Sequence, residues 1–372
     1  MRNFILSINL IICIQISFAQ TTSKSLVHGG LTRSYKEHVP TIYNPSTPVP
    51  LMICLHGLGD NMTNFMGIGM NQLANTENFI VLTPQAVNSP FGTAWNSGAS
   101  YMGYQINASI DDLGFIEKLI DTTMSLYNID SSRVYAMGFS MGGFMCHRLA
   151  CELNNRIAAI ASVAGTIGAS LNCTPGRAVP VCHFHGTKDS TVYYNGNMYG
   201  MDAVPLVQFW VNNNNCDTTP QIIDIPDVAQ DGFTIKHFIY DNGDDNTMVE
   251  HYRVDSADHQ WIYPPNNDMS YTLAIWDFVK RFSLPSWINI EKPTTKKDIS
   301  IFPNPSSELI YLNNIPDNSH ILLYDIFGRI IYENYHFNNQ DFINIKQYNK
   351  GLYIINIYCE NKIILTDKII KQ

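Results

Sequence analysis

From residue 50 onward, apolar positions fall into short runs separated by polar turns. LMICLHG (51–57) and NFIVLTPQA (78–86) are continuous apolar runs too short for helices, as in strands buried on both faces, and Pro84 ends the second. DDLGFIEKLIDTTMSLYNI (111–129) changes period. Leu113, Phe115, Ile116, Leu119, Ile120, Met124 and Leu126 recur at helical spacing, and Asp111 and Asp112 stand at the start, where the helix dipole favours anions. RVYAMGFS (133–140) reads as a strand and MGGFMCHRLACEL (141–153) as a helix. AAIASVAG (158–165) and VPVCHFHG (179–186) are strand-like, and VPLVQFWVNNN (204–214) is helical. FTIKHFIYD (233–241) and TMVEHYRVD (247–255) are late strands, and YTLAIWDFVKRF (271–282) is a closing helix. The residues before 50 are polar, and the pattern assigns them no element. Strands alternating with helices predict an α/β fold, a mostly parallel sheet covered by helices on both faces.

Near residue 290 the pattern changes. EKPTTKKD (291–298) is a polar, proline-containing linker. Beyond it SELIYL, HILLYDIFGRIIYE, DFINIKQY, GLYIINIYC and KIILTDKII follow one another with Asn-rich and Gly-containing turns between them. Short β-rich runs of this kind predict a small antiparallel sandwich. The expected organisation is a leader over 1–19, an α/β domain over 20–290, a linker over 291–298 and an all-β domain over 299–372.

A hydrophobic fraction of 45% is enough for a sizeable core. The net charge of −9, with no run of Lys or Arg, argues against nucleic acid as a partner, because phosphate binding needs a basic footprint. MRNFILSINLIICIQISFAQ pairs Arg2 with an apolar stretch from Phe4 to Ile16 and small residues at Ser17 and Ala19, the features of an export signal. The stretch is short and interrupted by Asn9 and Gln15, so a membrane anchor is not expected, and no later stretch is long enough to span a bilayer. Six cysteines lie between Cys54 and Cys216, and export allows some of them to pair. Cys151 with Cys173 is the expected pair, tying the helix after Ser140 to the loop after AAIASVAG. No C-x-x-C spacing indicates a zinc site.

Gly138-Phe139-Ser140-Met141-Gly142 fits G-x-S-x-G, a weak signal alone. Here a strand enters and a helix leaves, as a nucleophile elbow requires. Small residues two before and two after the serine leave room for a strained backbone under an exposed Oγ. The base and its orienter should follow in the order Ser, Asp, His from loops after later strands. Asp189 lies in HGTKDSTV and His259 in ADHQW, both in such loops. Asp258 is poorly placed to accept from the ring of its own neighbour. His183 and His185 share one strand face without an evident third metal ligand, and His251 lies within a strand, so all three read as packing. The expected oxyanion donors are the backbone N–H groups of Met141 and of Leu58, the latter in the His56-Gly57-Leu58-Gly59-Asp60 turn.

LHGLGD, DDLGFI, GFSMGGFMCHRLACEL, AAIASVAG, HFHGTKDSTVYY and His259-Gln260-Trp261 together resemble the polyhydroxybutyrate depolymerase and feruloyl esterase family of α/β-hydrolases, over roughly residues 33–285. The resemblance implies an α/β-hydrolase fold, a secreted carboxylic ester hydrolase, and Ser140, Asp189 and His259 as its triad. Family members often show Gly-Gly before the histidine and Trp-Pro-Gly after it. Here Ala257-Asp258 and Trp261-Ile262-Tyr263-Pro264 stand there, so the pocket differs, and Trp261 is a candidate substrate contact. IFPNPSSELIYL, LLYDIFGRII, KGLYIINI and KIIKQ resemble the C-terminal sorting domain of type IX secretion cargo, which implies export through the periplasm to the cell surface or medium. The expected activity is serine ester hydrolysis through an acyl-enzyme, needing no metal or organic cofactor. Polysaccharide-linked feruloyl or acetyl esters of plant cell walls are the expected substrates. Polyhydroxybutyrate is the alternative, followed by a peptide substrate or a non-enzymatic surface-binding role.

Overall fold

The computed structural model describes residues 20–285, 299–325, 329–359 and 362–372. The leader expected over 1–19 and the linker expected over 291–298 lie outside the described residues. The chain divides into two compact units, Met1–Ile288 and Asn289–Gln372.

The first unit is built on a ten-stranded sheet. In chain order its strands are β1 (Gln20–His28), β2 (Leu31–Val39), β3 (Val49–Leu55), β4 (Ile80–Pro84), β5 (Ile129–Phe139), β6 (Ala159–Val163), β7 (Val181–Gly186), β8 (Gln221–Ile225), β9 (Thr234–Tyr240) and β10 (Val249–Asp255). The spatial order is β1-β2-β4-β3-β5-β6-β7-β10-β9-β8. The six central strands, β4 to β10 in that order, run parallel, and the pairs at both edges are antiparallel.

Central strands are apolar at every position because both faces are covered. Leu51, Ile53 and Leu55 pack in one layer, with helices α2 (Asp112–Leu126), α3 (Met141–Glu152) and α4 (Ala203–Asn213). Met52 and Cys54 point the other way, toward α1 (Met70–Glu77) and α5 (Tyr271–Val279). The polar start, which the pattern left without an element, is the hairpin β1–β2 at the sheet edge. Its alternation is hard to see because β1 is half exposed and its positions are mostly Thr, Ser and Lys. The edge strand β8, Gln-Ile-Ile-Asp-Ile, is short and nearly all exposed, and the pattern did not assign it.

Asp111 caps α2, accepting from the Gly114 N–H at 2.9 Å. Asp112 does more than answer the helix dipole. It is wholly buried, 2.6 Å from the Arg33 guanidinium, and accepts from the Asn96 N–H at 2.7 Å. Arg33 also lies 3.9 Å from the centre of the Phe115 ring. Cys151 and Cys173 form a disulfide, as expected, joining α3 to the loop after β6.

The C-terminal unit contains a three-stranded sheet (Ser300–Phe302, Leu309–Asn313, Phe342–Asn344) and a four-stranded one (Ser319–Tyr324, Ile330–Phe337, Gly351–Cys359, Lys362–Lys371). The strand pairs within both sheets are antiparallel, and one isolated parallel bridge joins Ser306 to Lys371. Ile310, Leu312 and Ile343 of one sheet share a core with Ile321, Leu323, Ile355 and Ile357 of the other. Among the described residues, no helix is long and apolar enough to cross a membrane.

Candidate active site

The four central strands β3, β5, β7 and β10 are parallel, so the loops that follow them emerge at one edge of the sheet. Those loops carry Leu58, Ser140, Asp189 and His259. This is the edge where α/β sheets hold their ligands.

Ser140 stands between β5 and α3 with φ 54° and ψ −122°, a region costly for a residue with a Cβ. The turn is held from both sides. The Ser140 N–H donates to Val163 O at 2.8 Å, and the Phe144 N–H donates to Ser140 O at 3.1 Å. A Cβ on Gly142 would collide with the Leu55 carbonyl, and one on Gly138 with the Gly142 backbone. The glycines of G-x-S-x-G therefore serve close approach of the backbone. Gly165 has a similar duty that the motif does not reveal, since a Cβ there would meet Ser140 O.

His259 Nδ1 lies 2.7 Å from Asp189 Oδ2. Asp189 Oδ1 accepts from the N–H groups of Thr191 (2.9 Å) and Val192 (2.8 Å). Burial pushes the Asp189 carboxyl upward, but hydrogen bonding from His185 and His259 outweighs it and holds the group well below the usual carboxylate range. An ionised Asp189 can only accept, so the proton of His259 sits on Nδ1 and Nε2 keeps its lone pair. Asp258, weighed above as a rival acid, has a different place. Its Oδ1 accepts from Ser190 N–H and Oγ, both at 2.8 Å, and from the His259 N–H at 2.7 Å. It fastens the aspartate loop to the histidine loop.

Among the described residues, neither Leu58 N–H nor Met141 N–H has a protein acceptor. Sequence reasoning missed the residue that sets the Leu58 peptide. His56 is fully buried, and its Nδ1–H donates to Gly57 O at 2.8 Å while its Nε2 accepts from the Ala86 N–H at 3.1 Å. In a trans peptide the N–H of Leu58 points opposite to the Gly57 carbonyl. Holding that carbonyl fixes the direction of the N–H. Burial lowers the His56 pKa, which keeps the ring neutral and this donor pattern intact.

Ser140, Met141, Leu58 and His259 line one cavity of about 430 Å³, together with Ile106, Phe139, Phe144, Val192 and Tyr199. The wall is mainly apolar. Trp261 does not line it. Its ring lies edge-on to Phe139 at 6.3 Å, and Phe139 in turn packs 4.7 Å from the His259 ring. Two small hairpins that the hydrophobic pattern did not show, Val87–Ala94 and Ser100–Gln105, set Tyr101 against Tyr199 and Phe91 against Tyr101.

The fold is that of the α/β-hydrolases. Residues 38–219 match the phospholipase/carboxylesterase family, and residues 300–372 match the secretion system C-terminal sorting domain. The chain has homologues among feruloyl esterases and polyhydroxyalkanoate depolymerases. Feruloyl esterase B of Piromyces equi is 27% identical over 260 residues, 66% of this chain and 44% of that protein. Poly(3-hydroxyalkanoate) depolymerase C of Paucimonas lemoignei is 24% identical over 60% of this chain and 57% of its own length. The chain thus spans about half the length of these relatives. Among solved structures, acetyl xylan esterase from Aspergillus awamori shares the fold at a TM-score of 0.50 and 15% identity, over 70% of this chain and 99% of that one.

Proposed function

We propose that the protein is a serine carboxylic ester hydrolase with Ser140 as nucleophile, His259 as general base and Asp189 as its orienter. The observation that carries this reading is one cavity holding a strained serine at a helix start and a histidine whose Nδ1 is 2.7 Å from a buried carboxylate. Ser140 Oγ attacks the ester carbonyl as His259 Nε2 takes its proton, and Asp189 stabilises the imidazolium. The N–H groups of Met141 and Leu58 receive the oxyanion. The alcohol leaves with the proton from His259, and water enters by the same route to release the acid. The C-terminal sorting domain marks a secreted or cell-surface protein, with the type IX machinery as its export partner.

For substrate, the reading favours feruloyl or acetyl esters of plant cell-wall xylan. The similarity to Feruloyl esterase B supports it, and an apolar cavity of about 430 Å³ has room for an aromatic acyl group. The similarity to a poly(3-hydroxyalkanoate) depolymerase keeps polyhydroxybutyrate as the second reading. The test is turnover of methyl ferulate, acetylated xylan and polyhydroxybutyrate by the full chain and by Ser140→Ala, with mass spectrometry after a fluorophosphonate. A label on Ser140 and a loss of kcat on the order of 10⁴-fold or more are expected. Unchanged turnover by Ser140→Ala overturns the mechanism. Turnover of polyhydroxybutyrate alone replaces the substrate.

A further inference from the structure

Asp189 has a second histidine behind it. His185, on β7, is buried, and its Nε2 lies 2.8 Å from Val192 O and 3.4 Å from Asp189 Oδ2. A carbonyl and a carboxylate both only accept, so Nε2 must carry the proton. Its Nδ1 is 3.2 Å from His183 Nε2, so a neutral His185 accepts there and His183 carries its proton on Nε2. His251 is set in the same way. Its Nδ1 donates to His183 O at 3.1 Å, and its Nε2 accepts from the Tyr194 hydroxyl at 2.9 Å. Trp210 Nε1–H donates to His147 Nδ1 at 3.1 Å, which leaves the proton of His147 on Nε2. Each ring thus has a tautomer set by its partners.

The consequence falls on the turn 189–192. Asp189 Oδ1 takes the N–H of Val192, and His185 takes the carbonyl of the same residue. Val192 is gripped at both ends of its backbone, and Asp189 cannot shift without breaking one grip. The groups facing His185 are His183 from its own strand, Asp189 and Tyr194 from the following turn, and His251 from β10, where Arg253 pairs with it in register; His259 lies across Asp189. His183, Asp189 and Tyr194 are all buried.

We propose that His185 is a positioning residue: as an Nε2–H donor it clamps the 189–192 turn and so holds the Asp189 carboxylate against His259 Nδ1. The proposal rests on the Ser140, Asp189, His259 reading. It goes beyond that reading in giving a strand histidine, outside the triad and out of contact with substrate, control over how well the base is oriented.

The test compares the full chain with His185→Phe, which keeps the ring and removes the donor, and with His185→Gln, whose amide nitrogen reaches near the place of Nε2. Turnover of methyl ferulate is measured across pH, with near-ultraviolet circular dichroism to check packing. In His185→Phe, kcat is expected to fall about 100-fold, the cost of a small misplacement remote from the chemistry. The fall should exceed any change in KM, and the acidic limb of kcat/KM should move to lower pH as Asp189 supports the imidazolium less well. His185→Gln should recover kcat to within about tenfold of the parent and restore the limb. Nitrogen-15 spectra of the unaltered protein should show a proton on His185 Nε2, a reading independent of any variant's folding. Full kcat in His185→Phe, or a His185 Nε2 without a proton, overturns the proposal while Ser140→Ala remains inactive. Full turnover by Ser140→Ala overturns the triad and this proposal with it.

Discussion

In the first unit Arg33, Asp112, Asp189, Glu250 and the histidines 147, 183, 185 and 251 are buried among the hydrophobic layers. In the C-terminal unit the core is isoleucine, leucine and aromatic side chains, and the described buried polar residues are Ser306, Ser319 and Lys371. Backbone strain divides in the same way. Left-handed non-glycine residues in the first unit include Ser140, Ala164 and Ser256, whereas the described ones in the C-terminal unit are Asn314 and Asn318, a residue type that tolerates that conformation. Buried charge and strained backbone persist only where surrounding structure over-determines them. Their concentration in one unit agrees with the proposed catalytic role, and the other unit needs only to pack.

The comparison can be strained most severely at Asp112. Asp112→Ala leaves the Arg33 guanidinium buried without its carboxylate and frees the Asn96 N–H, so a loss of about 3–5 kcal/mol is expected in urea unfolding. All five tryptophans precede residue 290, so their fluorescence reports on the first unit. A loss below 1 kcal/mol would mean that this buried pair is dispensable.

Next in size is the link between Cys151 and Cys173, which closes a separation of 22 residues. Replacing both by alanine should cost about 3 kcal/mol by loop entropy, read by the same fluorescence. Alkylation of both thiols in the folded, unreduced protein would remove the basis of that figure.

The smallest effect sharpens the comparison through pH. Burial lowers the pKa of His147 and of His251 to about 3, against an ordinary 6.5. Below 6.5 the unfolded chain binds protons that the folded chain refuses, so stability falls as pH drops from 6.5 toward 3 and is level above about 7.5. The two rings together should cost about 1–2 kcal/mol at pH 6 relative to pH 8. Asp189 and Glu250, held low by their partners, add their own loss only as pH falls through the carboxylate range. Stability that rises on going from pH 8 to pH 6 would contradict the neutral histidine network.

Much of this molecule could be read from the chain alone. Apolar runs located the central strands, because strands covered on both faces are apolar throughout, and the 3.6-residue period located α2. Gly138 and Gly142 around Ser140 announced a bend, and the order of strands placed Asp189 and His259 in the loops after β7 and β10. What local pattern could not carry was anything dependent on distant partners. The exposed strand β1 lacks an apolar signature, and β8 is a run of five residues whose isoleucines mostly face solvent rather than a core, so neither stood out. Gly165 looked like any turn glycine until β6 brought it under Ser140 O. His183, His185 and His251 read as packing, and His56 as no more than the start of a turn, because a histidine's role lies in which nitrogen holds the proton, and that is set by acceptors such as Gly57 O and Val192 O. The sequence by itself therefore determined the layers, the elbow and the order of the candidate triad. Only the tertiary structure decided the tautomers and the peptide orientations, since hydrogen bonds between groups as far as 70 residues apart have no local spacing to reveal them.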